Sequence, residues 1–550
     1  MVELDIQGTT IEIRFPFSPE MVERVKSLTS DWRKRLGAWV VTATRLEEIY
    51  AVFPDAHASP KLLEWIELQN KLAAIKAVDN ESAPQPYWVA CELRPHQRSA
   101  VQYLDNFSHC ANFDPPGAMK TRVAVAFAMK DRLPALIICP AQVKYHWRNE
   151  IRQCDPAANP VVVEGNPKAF QGSDLTGITG ADWVIVNFDL LKVWLPIFPP
   201  RFKTIICDES QTVINSKSQR GNAMLRACEQ VANVHYMTGS PALKRPADLE
   251  SMLIALGYLS PRERFSWRVR FTDGHRVCIN ENGVKYQHRE PQYRWSFSGA
   301  SNIDLLAREL DMFSVRRPAS AIKTSMPSVP VHTLLEVDLP DMREHNTLWK
   351  QMKSMLKSGD PHIKGQALSI FGKLLRWCAV QKHQVMMDLI TERLDAGESP
   401  VVFADFYEPL DMLRGELNGR SMSFDGRLSH TVRERVKEQF VKSPSPLALL
   451  TCRPGAGTGL DGLQHRAHSV IFQTLPVIPE HFKQAYCRVA REGQTQSVEV
   501  ITTLARGTIE EAVLRIVYER AKVTDVLCSN PSLSDEQKAA WARALSLIGV

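Results

Sequence analysis

Two short motifs constrain this chain most: Asp114-Pro-Pro-Gly-Ala-Met-Lys-Thr121 and, well downstream, Ile205-Ile-Cys-Asp-Glu-Ser-Gln211, each after an apolar run. A loop of Gly and small residues turns its backbone N–H groups onto phosphate oxygens, and a Lys at its end adds a point charge where the β and γ phosphates sit. Pro116, Gly117, Ala118, Met119, Lys120, Thr121 and Arg122 are the expected cradle for ATP. Thr121 and Asp208 are the expected holders of Mg²⁺. Glu209 is placed to orient or deprotonate the attacking water, which is the division of labour that nucleotide hydrolysis needs. Either motif alone also fits an ordinary strand-to-helix turn or a solvated acidic loop; in this order they point to nucleotide chemistry.

The surrounding pattern predicts an α/β fold. Apolar strands at 135–139, 183–186, 204–207 and 234–237 alternate with helical stretches, and a second set begins near Pro400, with strands at 401–404, 447–451, 469–472 and 498–501. Short β-rich runs separated by helices imply parallel sheets covered on both faces, hence two α/β lobes. Between them, Leu348, Met352, Met355 and Leu356 recur at helical spacing, as do Leu374, Leu375 and Cys378. The N-terminal stretch predicts a small α+β unit: a strand from Thr10 to Phe17, a helix from Ser18 to about Leu28, a strand around Trp39–Val41, and helices at 45–52 and 60–78. The expected domains are 1–80, a first lobe at 88–330, a helical protrusion or linker at 331–396 and a second lobe at 397–550.

Composition excludes several classes. With 44% hydrophobic and 23% charged residues, and no block of like charge, extended disorder is not expected. Eleven cysteines without a Cys-x-x-Cys pair argue for a reducing compartment and against a zinc module. No stretch approaches the ~18 apolar residues of a membrane span, so a soluble, cytoplasmic protein with no membrane partner is expected, the nucleus staying open as an alternative; compactness and the lack of a basic import tract suggest a bacterial or viral source. The net charge of +6 is compatible with nucleic acid without demonstrating it.

The motif order resembles the Swi/Snf-type DNA translocases of helicase superfamily two, from about residue 90 to 515. Leu93-Arg-Pro-His-Gln97 is similar to the segment that reads adenine, which implicates Arg94 and Gln97. The run from Leu136 to Trp147 resembles the first DNA-contacting motif and Val186-Asn-Phe188 the next, which implies DNA contacts at Lys144, Trp147 and Asn187. Met237-Thr-Gly-Ser-Pro241 resembles the motif that couples hydrolysis to lobe movement through Thr238 and Gly239, with Gln211 and Gln484 in the same role. Ser314-Val-Arg-Arg-Pro318 resembles the Arg pair ending the first lobe. In the second lobe, Val402-Phe-Ala-Asp-Phe406 matches the opening strand motif, and the segment from Ala456 to Gln464 the loop touching DNA and nucleotide, which implicates Thr458, Gly459 and Asp461; Arg427 and Arg453 are further DNA candidates.

Gln484-Ala-Tyr-Cys-Arg488-Val-Ala-Arg491-Glu-Gly-Gln494 completes the set. Two Arg three positions apart are expected on one helix face, aimed at the γ-phosphate held by the other lobe. The resemblance implies two RecA-like lobes and a monomeric, DNA-dependent ATPase that acts on double-stranded or branched DNA independently of sequence. A strand-separating helicase and a nucleotide-gated DNA-binding scaffold with weak hydrolysis are the alternatives. Phe15-Pro-Phe-Ser-Pro19, Val25-Lys26 and Gly37-Ala-Trp39 resemble the HARP module of annealing helicases, in which Arg33-Lys-Arg35 beside Trp32 and Trp39 would grip phosphates and stack on bases.

Four positions depart from the family pattern. Met119 stands where the family has Gly, Gln211 where it has His, and Pro115-Pro116 where it has an acidic and a bulky residue. Crowding by Met119 would affect hydrolysis more than binding, and Gln211 retains the capacity to hydrogen-bond to Thr238.

Overall fold

The computed structural model describes the chain except residues 8–9, 30–31, 35, 78–81, 171–172, 199, 243–244, 279–292, 319–321, 323–329, 358–360, 453–461, 492 and 529–550. It divides into two compact units, the first comprising 1–242, 246–273 and 300–318, the second 243–245, 274–299 and 319–550.

The first unit opens with a five-stranded sheet built from β1 (Glu3–Gln7), β2 (Thr10–Arg14), β3 (Trp32–Arg33), β4 (Ala38–Thr42) and β5 (His57–Ala58), in the order β3-β4-β2-β1-β5. Alternation puts Leu4, Ile6, Ile11, Ile13 and Val41 into a core closed by Val25 and Ile49 of the covering helices. The helix Pro60–Ala77 contributes Leu62 to this core and Leu72 to the core of the larger sheet. One helix therefore serves two cores, and the expected break near residue 80 separates two parts of one unit. Thr42 Oγ1 donates to Glu309 Oε1 at 2.8 Å, and Arg33 pairs with Glu263, so the N-terminal module is tied to the rest of this unit by polar contacts as well.

The larger sheet contains β6 (His109–Asn112), β7 (Ala135–Cys139), β8 (Val161–Val162), β9 (Trp183–Asn187), β10 (Thr204–Asp208) and β11 (Asn233–Met237). The hairpin of β12 (His275–Cys278) and β13 (Tyr293–Ser296) is grouped with the second unit. β14 (Ser314–Val315) completes the first unit's seven-stranded sheet, in the order β14-β6-β11-β10-β7-β9-β8. Every pairing is parallel. Ala135–Cys139 is buried at all positions, as a strand covered on both faces requires.

The second unit is a six-stranded parallel sheet of β15 (Val331–Val337), β16 (Val401–Ala404), β17 (Ser421–Phe424), β18 (Ala448–Cys452), β19 (Ser469–Phe472) and β20 (Glu499–Ala505), in the order β15-β20-β19-β16-β18-β17. The segment 331–396 is thus part of this unit's framework. Residues 331–337 form the strand beside β20, and the helices that follow place Met352, Leu374 and Cys378 in the core on one face of the sheet and Met386, Ile390 and Leu394 in the core on the other. A buried ion pair pins them: Lys382 Nζ lies 2.8 Å from Glu510 Oε1, and both side chains are almost wholly excluded from solvent.

Candidate nucleotide site and its family

The three strands β6, β11 and β10 are neighbours in the sheet although widely separated in sequence. Their C-terminal ends deliver the 113–119 loop, Thr238-Gly239 and Asp208-Glu209 to one edge, where ligands bind in open α/β sheets. Gly239 is needed for this convergence, because a Cβ there would sit 2.8 Å from Pro116 Cδ of the loop.

The loop ends at Met119, which caps the helix Lys120–Met129 with left-handed backbone angles, φ 52° and ψ 49°. A left-handed residue is what Gly supplies without strain, which is the physical reason for Gly at this position in the family pattern. The helix Pro95–Leu104 holds the loop from behind: Gln97 Nε2 donates to the Met119 carbonyl at 3.0 Å, and His96 Nε2 lies 3.1 Å from the Ala118 carbonyl. Gln97 Oε1 accepts from the Arg94 backbone N–H at 2.8 Å, closing a cap at the start of that helix. Gln97 is fully buried, so here it braces the loop with both ends of its amide. Lys120 Nζ donates to the carbonyls of Asp114 and Pro115 at 2.9 and 3.1 Å, which keeps its charge inside the loop's curve. Arg122 faces away from the loop, pairing with Glu150 at 2.7 Å and Gln153 at 2.7 Å.

At the end of β10, Asp208 Oδ1 accepts from the Glu209 N–H and Oδ2 from the Trp147 indole N–H, both at 2.9 Å. Burial and the neighbouring Glu209 carboxylate push the Asp208 carboxyl up to about 7, against the Trp147 hydrogen bond and the Lys120 charge, which pull it down. Negative charge held this uneasily is what a divalent cation relieves. The hard oxygens of Asp208 and Thr121 fit Mg²⁺. Glu209 is itself left-handed, φ 52°. Its Oε2 accepts from Gln211 Nε2 at 2.6 Å, and Gln211 Oε1 accepts from Thr238 Oγ1 at 2.6 Å. A continuous hydrogen-bond chain therefore runs from the acidic pair to the Thr-Gly-Ser segment, with glutamine as the link.

Two of the expected DNA contacts, Trp147 and Lys144, are buried. Trp147 is completely buried against Asp208, so it is no surface contact. Lys144 is nearly buried and donates to the Val163 carbonyl at 2.8 Å, which removes its ammonium from solvent. Both face inward because the helix Lys144–Cys154 turns one side onto the sheet, burying Ile151 and Cys154 with them. Asn187 is half-buried at the end of β9 and precedes a helix. Arg427 is exposed but held by Asp411 at 2.8 Å and Asp425 at 2.7 Å, over the Tyr407 ring. In the N-terminal module the Trp32 ring packs at a tilt of 50° against Trp39, centroids 5.3 Å apart, and Lys34 is exposed, whereas Arg35 lies outside the described residues. Arg453, Thr458, Gly459 and Asp461 also lie outside them.

The arginine pair differs in local structure from expectation. The helix Pro479–Tyr486 carries Gln484 and stops before the pair, and Arg488 and Arg491 sit half-buried in the turns that follow. Val489 and Ala490 between them are buried, and Gly493, φ 89°, turns the chain back beside His465. Sequence reasoning missed Asp114 and Arg317 as partners. Arg317 reaches Asp114 Oδ1 at 3.1 Å and the His96 carbonyl at 3.0 Å, and the adjacent acid and the Arg pair were the available signal.

A family model described as SNF2-related domain matches residues 25–383, well over half of the chain. The chain belongs to this SNF2-related family. It is 25% identical over 467 residues to the human "DNA annealing helicase and endonuclease ZRANB3", covering 82% of this chain and 42% of that protein. It is 27% identical over 448 residues to the Xenopus laevis "SWI/SNF-related matrix-associated actin-dependent regulator of chromatin subfamily A-like protein 1", covering 78% of this chain and 43% of that protein. The chain thus spans about two fifths of the length of these relatives. A solved structure, the Sulfolobus solfataricus SWI2/SNF2 ATPase core in complex with dsDNA, aligns over 83% of this chain and 98% of that one, at 21% identity and a TM-score of 0.37. The two parallel-sheet units match the RecA-like lobes expected for this SNF2-related chain. Among the described residues no helix is long and apolar enough to cross a membrane.

Proposed function

We propose that this SNF2-related chain is a DNA-dependent ATPase that translocates on double-stranded or branched DNA irrespective of sequence and reanneals or remodels forks. One observation carries the reading: three neighbouring strand ends bring the Lys120 loop, the Asp208–Glu209 pair and the Gln211–Thr238 chain to one edge. The annealing activity in the name of the human relative supports the reannealing part of this reading.

In this reading the N–H groups of the loop and the start of the helix Lys120–Met129 bind the ATP phosphates, and Lys120 exchanges its loop carbonyls for phosphate oxygens. Thr121 and Asp208 would hold Mg²⁺, which supplies neutralisation of charge developing on the β and γ oxygens. Trp147 fixes one Asp208 oxygen and the Glu209 N–H the other, so the carboxylate keeps one orientation. Glu209 orients the attacking water and takes its proton, with Gln211 holding the carboxylate in position. Displacement of Thr238 moves Gln211 and hence Glu209, which makes hydrolysis sensitive to the Thr-Gly-Ser segment. The family resemblance assigns Arg488 and Arg491 to hydrolysis, and Arg488→Ala should keep nucleotide affinity while lowering turnover by about 10³-fold or more.

The deciding measurement is ATP turnover with and without duplex or forked DNA, in wild type and Lys120→Ala. DNA stimulation that disappears in the variant supports the reading. Turnover indifferent to DNA, or to loss of the Lys120 charge, would overturn it.

A further inference from the structure

β14 is a two-residue strand at the edge of the first sheet, directly beside β6, in the register Ser314↔Ala111 and Val315↔Asn112. Pairing continues past the strand: the Phe113 N–H donates to the Val315 carbonyl at 2.8 Å. The next residues on both sides are joined by an ion pair. Arg317 Nε meets Asp114 Oδ1 at 3.1 Å, a second guanidinium nitrogen meets Oδ2, and that nitrogen also donates to the His96 carbonyl. Asp114 is almost wholly buried, so its charge depends on this partner. On the opposite side of the same residue, the Asp114 carbonyl accepts from Lys120 Nζ at 2.9 Å. One residue thus joins the lysine of the phosphate loop to Arg317. Pro318, which follows, is the last residue of the first unit before the chain enters the second.

We infer that Arg317 is a positioning residue that transmits the state of the phosphate loop to the chain leaving the first unit. The inference rests on the proposed ATP site. When Lys120 leaves the Asp114 and Pro115 carbonyls for a phosphate, Asp114 is released on one side and its carboxylate carries the guanidinium with it. The backbone around Arg317 follows, since the guanidinium fork ties it to the loop, while the buried Phe313 and Val315 stay in the core. Arg317 touches no reacting atom in this scheme. Its bidentate fork is the coupling element, and a lysine, which keeps the charge but offers a single point contact, would not reproduce it.

Hydrogen exchange of the full chain with and without a non-hydrolysable ATP analogue tests this, read at 113–121 and 312–318 in wild type, Arg317→Lys and Asp114→Asn. Asp114→Asn keeps the shape of the buried residue and guards against a folding defect specific to Arg317. In wild type the analogue should change exchange in both segments by about threefold or more, an effect within the range of local opening equilibria. In both variants the response at 113–121 should persist while that at 312–318 disappears, and DNA-stimulated kcat should fall further than analogue affinity. A response at 312–318 that survives in both variants, or is missing from wild type although 113–121 responds, overturns the inference and leaves the ATP site standing. No response anywhere in wild type overturns the ATP site and the inference together.

Discussion

Replacing Met119 with glycine separates a working phosphate loop from an obstructed one. A side chain where the family carries glycine suggests crowding, but the backbone of Met119 already has the left-handed angles that glycine would supply, φ 52° and ψ 49°. Holding a non-glycine residue there costs roughly 1–2 kcal/mol. Glycine removes that strain and adds about 0.5–1 kcal/mol of backbone entropy to be lost on folding. It also forfeits the contacts of a half-buried methionine, so stability should change by less than about 1 kcal/mol, a shift of a few degrees in Tm. The loop carbonyls on either side of the strain are already anchored, Ala118 to His96 and Met119 to Gln97. The backbone should therefore move little, and kcat at saturating DNA should change by less than about fivefold, equivalent to ~1 kcal/mol of barrier. Met119→Ala removes the side chain while keeping the strain and should behave like wild type. A rise in kcat of more than about tenfold in both variants, a barrier change near 1.4 kcal/mol, would refute this reasoning. The side chain would then be the obstruction, and the nucleotide-gated scaffold with weak hydrolysis would be the better description.

Trp147→Phe keeps the buried bulk and removes the N–H given to Asp208, so turnover should fall and its Mg²⁺ requirement rise while DNA affinity and its salt dependence stay unchanged; weakened DNA binding alone would return Trp147 to the DNA surface. Gly239→Ala places a methyl 2.8 Å from Pro116 Cδ and should lower turnover about tenfold or more, since misplacing catalytic groups by about 1 Å costs on the order of 10²; Pro116→Ala in the same chain should recover part of it, and full independence of the two changes would sink the contact. Lys382→Met strands the Glu510 carboxylate and should cost about 3–5 kcal/mol in urea unfolding, whereas Lys382→Met with Glu510→Leu should be distinctly more stable than the single variant. His235 is fully buried with no hydrogen-bond partner at Nε2, and burial lowers its pKa to about 3. The unfolded chain takes up this proton below pH ~6.5 and the folded chain does not, so stability is intact above 6.5 and falls as the pH drops toward 3, by about 2 kcal/mol at pH 5. His235→Phe, beside Phe127, should flatten that profile, and an unchanged slope in the variant would assign the acid sensitivity elsewhere.

What could be read from the chain alone follows a physical division. Lys120, Thr121, Asp208 and Glu209 were legible because their chemistry depends on residue types at adjacent positions, and the apolar strands around them were legible because a strand covered on both faces must be apolar throughout. β6 was not legible, although it feeds the phosphate loop. Its four residues His-Cys-Ala-Asn are short and mixed in polarity, and their burial is supplied by β11 and β14. β15 was hidden for a similar reason, since Val331–Val337 finds its parallel partner in β20, near the other end of the unit.

Side-chain direction was the second blind spot. Motif position placed Lys144 and Trp147 at a surface, yet in the helix Lys144–Cys154 the two lie three positions apart and share the face that turns to the sheet, together with Ile151 and Cys154. That periodicity is present in the sequence and predicts burial for all of them, whereas the family pattern alone predicts exposure. Arg488 and Arg491 show the converse error. Their spacing suited one helix face, but Gly493 two residues on, needing a positive φ, marks a chain that is turning, and the helix ends at Tyr486. Gln211 behaves differently from both, because its role depends on reach alone. An amide carries a donor and an acceptor at opposite corners, so one side chain can donate to Glu209 and accept from Thr238 at 2.6 Å each, preserving with glutamine a link for which the family pattern uses histidine.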